Sequence, residues 1–129
     1  MLRAMGVCVV ASVLLMAGCM GGADGITDRY KDADKRFTNA VGGMEQTTKT
    51  VSVPAGTSSL TVKASYSVGG TASFTLKNPS GGTVNQDSGS GGKVVEDDQW
   101  YTTSNPQTGD WTLTISVQGG ATYAFGFYY

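Results

Sequence analysis

The chain has 129 residues, with 9 basic and 10 acidic side chains, no histidine and a formal net charge of −1. This balance excludes the concentrated positive field that nucleic acids and acidic membrane surfaces attract. The lack of histidine removes the commonest general base and metal ligand, and both cysteines, Cys8 and Cys19, lie near the N-terminus. We therefore expect a protein that is not an enzyme and has no resident cofactor, apart from a calcium site considered below.

The first 18 residues have the form of a cleaved secretory leader. Arg3 supplies a positive charge, and an apolar run follows from Met5 to Met16. This run is shorter than the ~20 residues that a membrane-spanning helix needs. We therefore predict a signal peptide over residues 1–18.

A cysteine follows this leader directly. The segment from Leu15 to Cys19, with small Ala17 and Gly18 before the cysteine, resembles the lipobox of bacterial and archaeal lipoproteins. The resemblance implies that Cys19 becomes the lipidated first residue, which anchors the protein to a membrane on its extracytoplasmic face, in the cell envelope. An ordinary secretory leader that is cut elsewhere is the alternative.

Residues 19–43 are expected to form a lipidated tether with a short helix. Residues 20–25 are small and glycine-rich, as in flexible spacers. Over residues 26–41 the apolar positions recur at spacings of three and four, which is typical of an amphipathic helix. These positions are Ile26, Tyr30, Ala33, Phe37 and Val41. The alternative is that residues 36–41 form a first β-strand, and the pattern leaves both interpretations open.

Beyond residue 43 the pattern changes to alternating apolar and polar residues between glycine and proline turns, which predicts β-strands. Strands are expected at 48–53, 60–66, 72–76, 111–117 and 123–129, with a short one at 83–86 and an extended segment at 93–103. A polar loop is expected at 87–92, and Gly119-Gly120 is expected to close a hairpin between the last two strands. Since aromatic residues alternate up to Tyr129, the last strand should lie inside a sheet. Residues 44–129 thus predict an all-β fold, a jelly-roll-like antiparallel β-sandwich.

Two motifs of this region are similar to those of a known group of domains. The segment Asn105-Pro106-Gln107-Thr108-Gly109-Asp110-Trp111-Thr112-Leu113-Thr114-Ile115 resembles the ending of proprotein convertase P domains and pre-peptidase C-terminal domains, and residues 76–82 resemble a turn in the middle of the same domains. The resemblance implies a jelly-roll-like accessory domain that is not itself catalytic. Such domains are usually attached to secreted enzymes, whereas here the domain follows a lipid attachment motif.

In the β region, negative charge is concentrated in the run Glu96-Asp97-Asp98. In an extended strand Glu96 and Asp98 would share one face, where they could provide oxygen ligands to calcium. The resemblance also supports a calcium site, because related jelly rolls often hold calcium. Further ligands would come from Asn85, Asp87 or Asp110. A solvated strand edge is the alternative interpretation, and the spacing favours it.

Trp100 and Tyr101 follow the acidic run and form a candidate sugar-binding platform, because exposed aromatic rings stack on the apolar faces of sugars. Trp111 alternates with apolar residues and is predicted to lie in the core. Asp98 and Asp110 are the carboxylates that a hydrolytic mechanism could use, but their neighbours suggest no cleft and no raised pKa.

The sequence therefore predicts a lipid-anchored, extracytoplasmic, non-catalytic binding or accessory module for another envelope protein. The alternative is a glycan-binding or calcium-dependent surface lipoprotein. A nucleic-acid partner is not expected, since the charge balance is slightly negative.

Overall fold

The computed structural model describes residue 26 and residues 28–129; the leader, Cys19 and the first part of the tether, residues 20–25, lie outside the described residues. In the described part the chain forms eight β-strands. They are β1 (Lys35–Val41), β2 (Met44–Val53), β3 (Ser59–Val68), β4 (Thr71–Lys77), β5 (Thr83–Ser90), β6 (Val94–Ser104), β7 (Gly109–Gln118) and β8 (Ala121–Tyr128). Within these residues there is no helix long and apolar enough to cross a membrane.

The strands form two four-stranded antiparallel sheets. Sheet A has the order β1-β8-β3-β6 and sheet B the order β2-β7-β4-β5. The pairs β1/β8, β2/β7, β3/β6 and β4/β5 are nested like one long hairpin that is folded over, with its tip at the turn of residues 78–82. Folding this hairpin over brings β3 beside β8 and β4 beside β7. This is a jelly-roll arrangement, and the predicted fold class is confirmed.

The core lies between the sheets and is built from alternate residues of both. Its largest members include Tyr66, Phe74, Tyr123 and Phe125, each at most 1% exposed. Trp111 is 2% exposed, as predicted. Strand β8 lies between β1 and β3, so the prediction that the last strand lies inside a sheet is also confirmed.

The helix expected over residues 26–41 is wrong, and the alternative strand at 36–41 is right. Residues 28–34 form turns, in which Tyr30 has a φ of 62°, a left-handed conformation that interrupts helical backbone. The helical spacing was misleading because it joined two different surfaces. Ile26, Tyr30 and Ala33 pack outside sheet A, whereas Phe37 and Val41 face the core from β1.

Two further connections differ from expectation. Strand β5 continues to Ser90, so most of the predicted loop at 87–92 is strand. Gly119 and Gly120 do not close a hairpin, because they connect β7 of sheet B to β8 of sheet A. Both have positive φ angles, and a Cβ on Gly70 would lie 2.0 Å from the carbonyl oxygen of Gln118. Close backbone packing at this end of the sandwich, and not a two-residue hairpin, explains the glycines.

The outer face of sheet A is covered by Ile26 and residues 28–34. Ser65 and Ala124, which point outward from adjacent central strands, are 0% exposed. A Cβ on Gly126 would lie 2.6 Å from the Cβ of Tyr30, so a glycine is needed beneath this tyrosine. The central strand β8 is therefore buried on both of its faces.

Candidate functional site

The outer face of sheet B is an exposed field of uncharged polar side chains. Its central rows run across four strands, and their members are Gln46, Ser116, Ser73 and Ser88, then Thr48, Thr114, Thr75 and Gln86. Thr48 and Thr114 place their hydroxyl oxygens 3.4 Å apart. Among the described residues of this face, the charged ones are Lys77 and Asp110, both at one end. The face can donate and accept hydrogen bonds but offers little charge to a partner.

Two buried tyrosines bridge the sheets at opposite flanks of the sandwich. Tyr66 and Tyr123 are directly paired on β3 and β8. The Tyr66 hydroxyl donates to Asp87 on β5, and the Tyr123 hydroxyl donates to Oε1 of Glu45 on β2 at 2.8 Å. Burial and the adjacent carboxylate raise the pKa of both tyrosines above its usual value. Both hydroxyls therefore act as neutral donors that fasten an edge strand of sheet B to the core.

The carboxylate of Asp87 is held by two donors. Lys93 places its Nζ 2.9 Å from Oδ1, and Tyr66 donates to the other oxygen. Partial burial acts to raise the pKa of Asp87, but these two hydrogen bonds and the lysine charge outweigh it, and the pKa lies below its usual value. This flank, between β5 and β6, is thus closed by a hydrogen-bonded ion pair.

The flank between β1 and β2 is more open. It contains a cavity of about 240 Å³ lined by Arg36, Phe37, Thr38, Asn39, Glu45, Lys49 and Tyr123. The Lys49 Nζ lies 5.9 Å from the centroid of the Phe37 ring, and Asn39 donates to Glu45 at 3.2 Å. Both a cation and an anion therefore point inward at the edge of sheet B.

Trp100 and Tyr101, the predicted sugar platform, are half-buried against the core. The Trp100 ring lies 5.3 Å from that of Phe125, and the Tyr101 ring lies 6.1 Å from that of Trp111. Consecutive strand residues normally face opposite sides, but a register shift in β6 at this point lets both turn inward. The two rings are therefore not presented side by side to solvent.

The structure does not bring Glu96 and Asp98 to one face. A second register shift in β6, with Asp97 at a φ of 51°, inserts an extra residue between them. Glu96 approaches Arg29 on the outer face at 3.5 Å, whereas Asp98 pairs with core-facing Ala64. The described residues contain no group of three or more acidic side chains that could hold a metal ion.

The other residues considered with them are separated as well. Asn85 donates to the carbonyl oxygen of Trp100, and Asp87 binds Lys93. Asp110 accepts a hydrogen bond of 2.7 Å from Ser52 on the outer face of sheet B. Asp98 and Asp110 belong to different sheets and do not form the carboxylate pair of a hydrolytic centre.

The sequence did not reveal a small network on the covered face of sheet A. The Tyr30 hydroxyl lies 2.8 Å from Oγ of Ser65 and 3.3 Å from Oδ1 of Asp97, and the Asp97 amide donates to the same Oγ at 2.8 Å. Burial raises the pKa of Tyr30 more than its hydrogen bond to Ser65 lowers it. The small outward residues Ala124 and Gly126 were the available signal that something covers this strand.

No protein-family model matches the chain, and no curated protein matches it. The lipobox and the two accessory-domain motifs therefore stay predictions from sequence.

Proposed function

We propose that this protein is a lipid-anchored, extracytoplasmic, non-catalytic module that binds or accompanies another protein of the cell envelope. The observation that carries the proposal is the packing of residues 26–34 on the outer face of sheet A, only seven residues after Cys19. An extended chain spans at most ~3.6 Å per residue, so a lipid on Cys19 would keep that face within about 25 Å of the bilayer.

On this proposal the outer face of sheet B is opposite the face that the tether reaches and is free to meet a partner. The two sheets of a sandwich are separated by ~10 Å, so the sandwich itself stands between the tether and this face. The uncharged hydroxyl and amide rows would recognise a partner by shape and hydrogen bonding, with little contribution from long-range electrostatic attraction. A partner with a similarly uncharged polar surface fits best.

The alternative, a glycan-binding or calcium-dependent lipoprotein, has weaker support. It depends on Trp100 and Tyr101 acting together and on Glu96 and Asp98 acting together. The aromatic pair packs against the core, and the two carboxylates lie on different faces of β6. An accessory role that uses the regular face of sheet B agrees better with these positions.

The test is crosslinking of the full-length protein in cells, followed by mass spectrometry of the membrane fraction. Thr114→Arg places a long charge at the centre of the sheet B face, and Thr102→Arg is the matched change on exposed Thr102 of sheet A. We expect one protein partner with the wild type and with Thr102→Arg, and its loss with Thr114→Arg. Equal recovery of that partner with both variants would exclude the sheet B face.

The anchor has a separate control. Cys19→Ser should release the protein from the membrane fraction, because the lipid attachment site is removed while the described fold begins only at residue 26. A wild-type protein that is absent from membranes would overturn the lipid-anchored part of the proposal.

A further inference from the structure

Of the four edge strands of the sandwich, β5 and β6 are irregular, whereas β1 and β2 pair without a register shift, β1 over seven residues and β2 over ten. Strand β6 has two register shifts against β3, and β5 has one against β4 beside Lys77. Such irregularities protect a sheet edge from pairing with another chain. Strand β2 pairs with β7 without interruption over all ten residues from Met44 to Val53, and it contains no proline. In the described part of the chain no strand pairs with its other edge, so β2 is the longest regular template for a further strand.

The inward-facing charges of β2 decide which strand can be added there. Glu45, Thr47 and Lys49 occupy consecutive inward positions, with opposite charges placed symmetrically about the threonine. Inward charges at a sheet edge discourage pairing with an arbitrary strand, because they would be covered without compensation. Among the described residues Lys49 takes part in no ion pair, and its Nζ lies 5.9 Å from the centroid of the Phe37 ring. The added strand must therefore supply an acidic residue opposite Lys49 and tolerate Glu45.

We propose that β2 pairs antiparallel with β2 of a second copy of this chain, in the register centred on Thr47. In that register Lys49 lies opposite Glu45 of the second copy, and the reverse pair forms by symmetry. Opposite charges that face each other across strands stabilise a sheet, whereas like charges destabilise it. The pairing thus gives Lys49 an ionic partner and adds one to Glu45, which already accepts hydrogen bonds from Tyr123 and Asn39.

Neighbouring registers are less favourable. A register centred on Thr48 would set Glu45 opposite Val51 and Lys49 opposite Thr47, so that neither charge would face an opposite charge. Registers centred on Glu45 or Lys49 would oppose like charges directly. On the outer face, the register centred on Thr47 sets Gln46 opposite Thr48 and exposed Met44 opposite Thr50, with no charge involved.

This pairing joins the two copies of sheet B into one continuous eight-stranded sheet and doubles the uncharged polar face. It also gives the assembly two lipid anchors, a consequence that rests on the proposed function. A single acyl chain holds a protein on a membrane only weakly, so a second anchor would lengthen its stay there. The strand pairing itself does not depend on the anchor.

A cysteine at the twofold position tests the register directly. In Thr47→Cys the two new thiols face each other across paired strands, at a separation that allows a disulfide. We expect the full chain with Thr47→Cys to form a covalent dimer under mild oxidation. Ser52→Cys on the same strand is the control, because its two copies would lie far apart, and the wild type reports any crosslinking by Cys8 and Cys19.

Charge reversal supplies a second readout that needs no crosslink. Lys49→Glu should abolish the dimer in sedimentation of the full chain, and adding Glu45→Lys should restore it, with thermal unfolding as the check that each variant folds. A Thr47→Cys chain that crosslinks no more than Ser52→Cys would overturn the proposal. So would a folded Lys49→Glu chain that still dimerises, or capture of a different protein at Thr47→Cys. If Thr114→Arg loses the envelope partner but still dimerises, the partner binds the outer face of sheet B and the dimer forms independently at the β2 edge.

Discussion

The two outer faces of the sandwich are built from similar alternating strands, but one face is covered by another segment of the chain and the other is exposed to solvent. On sheet A, Ile26 and residues 28–34 cover the outward residues Ser65 and Ala124 so fully that both are 0% exposed. On sheet B the corresponding positions hold threonine, serine and glutamine, and no other segment of the described chain lies on them. Ala124 and Gly126 leave room for the covering segment on sheet A, and the outward rows of the central strands of sheet B contain no alanine or glycine.

The largest difference between the faces should come from removing Tyr30. Tyr30→Ala takes away a side chain that is 9% exposed and packs on Gly126 and Ala124, and we expect a loss of about 2–4 kcal/mol in the free energy of unfolding. The matched change Thr114→Ala on sheet B should alter it by no more than about 0.5 kcal/mol. Urea unfolding measures both, and equal effects would refute the contrast between the faces.

A smaller loss is expected when the space beneath Tyr30 is filled. Gly126→Ala adds a methyl group 2.6 Å from the Cβ of Tyr30, so residues 26–34 must shift, at a cost of about 1–3 kcal/mol. Gly42→Ala is the control, because a Cβ there meets nothing within 4 Å. Thermal unfolding of the two variants should separate them clearly. Indistinguishable unfolding midpoints would mean that the covering segment can shift with no loss of stability.

The smallest effect concerns the Tyr30 hydroxyl. Tyr30→Phe keeps the ring and removes the bonds to Ser65 and Asp97, which should cost about 1 kcal/mol at neutral pH. The pKa of Tyr30 is raised in the fold above the ordinary 10.0, so its stabilising contribution is present below pH 10 and is lost as the pH rises further.

The measurement that sharpens this point is the difference between wild type and Tyr30→Phe as a function of pH. It should shrink above pH 10, because the wild type alone must keep Tyr30 neutral in the fold. Tyr66 and Tyr123, whose pKa values are also raised, weaken both proteins alike in that range. A difference that stays constant up to strongly alkaline pH would show that Tyr30 is not buried as described.

Strands whose inward rows are apolar were predictable from sequence, because an apolar residue at every second position is directly visible in the sequence. The rows from Leu60 to Tyr66 and from Trp111 to Val117 are examples. The bulges of β6 were not predictable, since an inserted residue leaves the composition of the strand unchanged, and they are what separate Glu96 from Asp98 and turn Trp100 inward. The spacing of Ile26, Tyr30 and Ala33 correctly indicated one apolar surface but not the backbone that carries it.

The edge at β2 needed the structure for a different reason. Alternation placed the strand at residues 48–53, but only the register against β7 extends it back to Met44 and turns Glu45 inward with Lys49. Whether a strand lies at an edge depends on pairing with residues some seventy positions away, which a local pattern does not contain.

The nested order of the strands also sets when the molecule can fold. Strand β1 has no partner in its sheet except β8, so Val41 can pair only after Ala121 has been synthesised. A chain is synthesised at roughly 5–20 residues per second, and folds dominated by such distant pairs form slowly. Neither sheet can be completed until the last strands have left the ribosome. The β4/β5 hairpin pairs nearby residues and can form early, whereas the complete sandwich forms only at the end of synthesis.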